Sequence, residues 1–134
     1  DRWIDTRISG KIKRARFIAA LTAAISATLT GPHYAAATDE IYQGLWGRTA
    51  AILKDELRLS PRANLRDHQP TLALVYQGLA EEIAAQQLGN RTELVWEEGR
   101  VIVRRVADLI GEQAAATSRF LQTDLATGRP LLTR

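Results

Sequence analysis

Cysteine and methionine are absent from this chain, and histidine occurs only twice. Without cysteine there can be no disulfide and no thiolate metal ligand, so a hydrophobic core has to hold the fold, and a reducing, cytoplasmic compartment is the expected one. His33 and His68 stand at no spacing used by a metal centre or a catalytic triad. Large aromatic and β-branched residues are sparse while alanine is abundant, a composition that favours an all-α fold. No run approaches the roughly 20 uninterrupted apolar residues of a membrane span, and no secretory leader pattern appears. Gly44 and Gly47 lack the lysine that follows a phosphate-cradling glycine loop. The paired acids Glu81-Glu82 and Glu97-Glu98 are sequence neighbours that read as solvated helix faces. The expectation is a protein without a cofactor, a metal, a membrane segment or an enzymatic role.

What is present fits one domain over residues 1–134, with 46% hydrophobic residues to build a single core. The chain starts at Asp1 without methionine, so it is expected to be the C-terminal part of a longer protein whose N-terminal domain binds DNA. Charge is unevenly placed. Residues 1–28 carry a net +4, from Arg2, Arg7, Lys11, Lys13, Arg14 and Arg16 against Asp1 and Asp5, while the remaining 106 residues carry −1. Arg7, Lys11, Lys13, Arg14 and Arg16 are therefore the candidate nucleic-acid contacts, since clustered cations give sequence-independent affinity by counterion release. The competing reading is an ordinary solvated helix face with a basic bias.

Taken in order, Ile4, Ile8, Ile12, Ala15, Ile18, Thr22, Ile25 and Leu29 recur at steps of three and four and predict one long helix over residues 3–29, ended by Gly31-Pro32. Phe17 and Leu21 widen its stripe. After a short connection at residues 33–37, Thr38 is the expected cap of a short helix that stops at Gly47, and a second runs from residue 48 or 49 to about Leu57. Ser60-Pro61 signals a further single turn, and Asp67 the cap of a long helix from Pro70 to about Leu88. Thr92 is the expected cap of the last long helix, which extends to Phe120 with Gly99 and Gly111 placed for close helix crossing. Residues 124–134 read as a turn and an extended tail. The result is a bundle of three long helices plus two or three short ones. Its first helix has more apolar edge than one small domain can cover, so Trp3, Ile4, Ile8, Ile12, Phe17, Trp46 and Trp96 are the candidate interface residues of a homodimer.

The central module could be forced onto a helix-turn-helix offering Arg48, Lys54 and Arg58 to DNA, but Asp55 and Glu56 interrupt that face and Tyr42 and Trp46 have the character of buried residues. The combination of TDEIYQGLWGRTAAILKDEL (38–57), ANLRDH (63–68) and LALVYQGLAEEIA (72–84) resembles the C-terminal helical domain of phage-antirepressor-type proteins, the BRO and KilA-N group and the DNA-damage-inducible D proteins. A comparable helical half occurs in the Deinococcus DNA damage response protein C. The resemblance covers about residues 35–90. It implies an oligomerisation or protein-interaction domain attached to a DNA-binding one, with the protein in the cytoplasm or on the nucleoid. It brings no catalytic residue set. Asn64, Arg66 and Asp67, inside the matching stretch, are expected to hold the turn between the central module and the next long helix. The alternative function is direct DNA binding through the basic N-terminal helix.

Overall fold

The computed structural model describes residues 1–131. Residues 132–134, the end of the expected tail, lie outside the described residues. The described fold is all-helical, with helices α1 (Arg2–Ala24), α2 (Gly31–Trp46), α3 (Ala50–Glu56), α4 (Thr71–Leu88) and α5 (Trp96–Leu121), and a 3-10 turn at Leu65–His68 between α3 and α4. Four helices are long, where the sequence predicts three.

The difference arises at Gly31-Pro32. Asp1 caps α1 by accepting from the Trp3 N–H at 2.7 Å, but the helix ends at Ala24 because Ile25 turns extended (φ −88°, ψ 129°). There Ser26 N–H donates to the Leu94 carbonyl and Leu94 N–H to the Ala24 carbonyl, so pairing with a distant segment replaces the next helical turn. Ile25 stays buried in this extended state and Leu29 packs against the same core. At Ile25 and Leu29 the apolar period that predicts helix to residue 29 thus reports burial and not helix. Gly31-Pro32 opens α2, where proline's missing N–H has no helical partner to lose. The imidazole Nδ1 of His33 accepts from the Thr30 N–H at 3.1 Å and completes that start. Thr38 accordingly lies inside α2, its hydroxyl donating to the Tyr34 carbonyl.

Three further starts differ from expectation. Ser60 accepts from the Arg62 N–H in a turn, and it is Asn64 that caps the 3-10 turn through Arg66 N–H. Asp67 lies within that turn and Pro70 precedes α4. Thr92 also caps nothing, since α5 begins at Trp96, where the Glu98 carboxylate accepts from the Val95 N–H. The expected stop at Gly47 holds, with that residue in the left-handed region (φ 70°).

α1 runs parallel to α4: Trp3 Nε1 donates to the Gln69 carbonyl at one end, Arg14 meets Glu81 midway, and Ile25 pairs with Leu94 at the other. α2 runs parallel to α5 through Glu40, which takes Arg100 at 2.5 Å and Arg104 at 3.1 Å. Phe17, Leu21, Ile41, Leu88 and Val103 fill the shared core with at most 1% exposure. Gly44 and Gly111 make the α2–α5 crossing, where a Cβ on Gly111 would stand 2.1 Å from the Gly44 carbonyl oxygen. A second, smaller core of Tyr42, Leu53, Leu65 and Ala126 closes the other end. Arg48 fastens the C-terminal turn there, donating to both Asp124 carboxylate oxygens at 2.9 Å. Among the described residues no helix is long and apolar enough to cross a membrane.

Candidate functional site

Two surfaces of α1 stand out. On the first, Arg7, Lys11 and Arg14 follow one another at helical spacing and face a cleft of about 600 Å³. Its other walls come from Tyr42 of α2, Lys54 of α3 and the 3-10 turn with its cap, Asn64 to Arg66. Five cations from three elements therefore line one hollow, and Asp39 is the only acid among the described lining residues.

The floor of the cleft is a buried polar network. Arg66 donates Nη1 and Nη2 to the two carboxylate oxygens of Glu81 at 2.7 and 3.1 Å, and Nε to the Tyr42 hydroxyl at 2.8 Å. Its guanidinium also lies over the Tyr42 ring, 5.4 Å from the centroid. Arg14 Nη1 adds a third bond to Glu81 at 3.2 Å. Burial works against the charge of Arg66, but Tyr42 and Glu81 outweigh it and hold the guanidinium above its ordinary value. Glu81 is wholly buried, which overturns the reading of Glu81-Glu82 as a solvated pair. The signal was available: Glu81 falls in line with Leu74, Gln77, Ala84 and Leu88 on the buried face of α4, and a carboxylate in an apolar row needs a cation.

The five expected nucleic-acid contacts do not form a row. Arg7 donates to Asp67 at 3.1 Å and is nearly buried, and Arg14 is tied to Glu81. Lys13 lies on the other side of the helix, its Cδ against Gly78 of α4, and exposed Arg16 leaves the cleft altogether. Lys11, Lys13 and Arg16 make no ion pair or side-chain hydrogen bond among the described residues, and of these three Lys11 lines the cleft. The three turn residues are tied into the network: Asn64 caps the turn, Arg66 enters it from the turn's backbone, and Asp67 joins it to α1. Arg48 of the helix-turn-helix alternative is held by Asp124 and Glu56 and faces the C-terminal turn.

The second surface is the outer side of α1. Ile4, Ile8 and Ile12 are 50%, 54% and 52% exposed on successive turns, away from the buried edge of Phe17, Leu21 and Ala24. Of the seven candidate interface residues these three are open. Phe17 is sealed in the core and cannot reach another molecule while the fold is intact. Trp3, Trp46 and Trp96 are half-buried, the first donating to the Gln69 carbonyl, the second to Gln77 Oε1 at 3.1 Å, and the third packing edge-on to His33.

Among the described residues no group of three His, Asp or Glu side chains is placed to hold a metal ion. No known family, no curated protein and no solved structure matches this chain.

Proposed function

We propose that this domain is a self-association module of a DNA-binding regulator, pairing two copies through the outer face of α1. The isoleucine stripe carries the reading. Three large aliphatic side chains on consecutive turns keep half their surface in water although the core beneath them is complete. Burial of such surface releases about 25 cal/mol per Å², enough for a hydrophobic interface to form without special chemistry.

Charge favours a second copy as the occupant. Asp5 and Arg16 lie eleven residues apart, close to three helical turns, and so flank the stripe on one side. An antiparallel twofold axis between Ile8 and Ile12 sets Ile8 of one copy against Ile12 of the other. It places Asp5 of each beside Arg16 of the other. Joining two copies makes two weak DNA contacts, contributed by a separate DNA-binding segment, act as one stronger contact. The alternative, duplex binding by α1 itself, draws less support because Arg7 and Arg14 are bonded to acids of their own chain.

Sedimentation equilibrium tests the reading. The wild-type domain is expected to be a dimer at micromolar concentration and Ile8→Asp a folded monomer by circular dichroism. A wild-type protein that stays monomeric at that concentration removes the proposal.

A further inference from the structure

The cationic cleft asks for a ligand that self-association does not supply. Folding gathers Arg7, Lys11, Arg14, Lys54 and Arg66 from three separate elements around one hollow, a placement that costs Coulomb repulsion unless counter-charge enters. The protein neutralises part of it. Asp67 serves Arg7, and Glu81 is consumed by Arg66 and one nitrogen of Arg14. Asp39 has one oxygen engaged by the Ala50 N–H at 2.9 Å. Lys11 and Lys54 have no carboxylate partner among the described residues, and Lys54 Nζ donates only to the Pro61 carbonyl. Among the described residues, Arg14 Nε and Nη2 have no hydrogen-bond partner.

We propose that this cleft binds a small organic phosphate. Two ammonium groups and the free edge of a guanidinium suit a compact dianion with several acceptor oxygens, whereas a single carboxylate would be satisfied by Arg14 alone. The volume of about 600 Å³ exceeds what a bare phosphate fills and lies in the range of small-molecule sites, and Ala35, Ala50 and Ala63 line it without bulk. A nucleic-acid strand fits less well. Tyr42, the only aromatic in the lining, is 3% exposed beneath Arg66 and offers no face for a base to stack on.

Isothermal titration calorimetry of the full chain at low salt, with inorganic pyrophosphate and ribose 5-phosphate as probes, tests the site. Both are expected to bind, more weakly as salt is raised. In Lys11→Ala/Lys54→Ala, which breaks no ion pair, binding of both is expected to fall about tenfold or more while the circular dichroism spectrum is kept. Lys11→Ala alone is the second variant should the double one fail to fold, and it too must weaken both probes. Absence of binding by either probe to the folded wild-type protein overturns the proposal. Undiminished affinity in the lysine variants does so as well, and so does tight binding of a single-stranded oligonucleotide without binding of ribose 5-phosphate.

Discussion

Arg66 and Glu81 form a bidentate ion pair at 2.7 and 3.1 Å with both side chains withdrawn from water, joining the 3-10 turn to α4, and Arg66 Nε ties in α2 by donating to the Tyr42 hydroxyl. Such a pair is costly to break, because the survivor is left charged in the interior. Glu81→Gln is expected to cost about 3–5 kcal/mol, measured as a lower midpoint in urea. Removing the three buried polar members, Tyr42, Arg66 and Glu81, together should be much milder. The triple variant Tyr42→Phe/Arg66→Met/Glu81→Leu keeps the volume and leaves Arg14, already one-third exposed, to turn outward. Its stability is expected within about 1–2 kcal/mol of wild type or above it. A triple variant as unstable as Glu81→Gln would mean that the network holds the turn in a way apolar packing cannot.

Two helical glycines make a contrasting pair. A Cβ at Gly111 meets the Gly44 carbonyl oxygen at 2.1 Å, and backbone at that distance cannot yield without separating α2 from α5. Gly111→Ala is expected to destabilise by about 2 kcal/mol or more. At Gly10 of α1, outside the adjoining helix backbone, no other described residue lies within 4 Å of the added methyl. Gly10→Ala should therefore stabilise by about 0.5–1 kcal/mol, through the conformational freedom glycine loses on folding. Thermal melts of the two variants should move in opposite directions.

How much of this was legible in the sequence depends on what kind of information each feature uses. α4 and α5 follow in outline from local spacing: apolar residues recur at helical intervals and Gly111 is placed for close helix crossing, whereas a Cβ at Gly99 would meet the side chain of Ile25 outside any helix, and the caps expected at Asp67 and Thr92 do not form. The end of α1 does not follow from spacing, because Ile25 keeps the apolar period while its backbone pairs with Leu94, 69 positions away. Gly31-Pro32 is locally ambiguous, as either the close of one helix or the opening of the next, and the Thr30–His33 bond that decides it is visible only in three dimensions. The same holds for the cleft. Arg7, Lys11 and Arg14 announce themselves as a basic helix, but nothing local reveals that Lys54 and Arg66 face them, or that Glu81 lies under them. The exposed isoleucines show the converse. Their period is as regular as that of a buried face, and only the placement of Phe17 and Leu21 tells which edge of α1 the core takes.

Asp124 gives the fold a dependence on acid pH. Burial opposes its negative charge, but hydrogen bonds from Arg48 and Thr127 outweigh the burial, so its carboxyl titrates below the ordinary value of 3.8. As pH falls, the unfolded chain takes up this proton before the folded one does, so the unfolded state binds more protons and stability drops. The contribution is complete above the unfolded value and is lost as pH falls from about 3.8 through the lowered one. Asp124→Asn keeps the shape of the turn and removes the charge. At pH 7 it is expected to cost about 1–3 kcal/mol, since the Arg48 guanidinium loses a charged acceptor for two of its hydrogen bonds. Below pH 4 the urea midpoints of variant and wild type should converge. A gap that stays constant from pH 7 down to pH 3 would show that Asp124 holds the C-terminal turn by its hydrogen-bond geometry alone, and that its charge adds nothing.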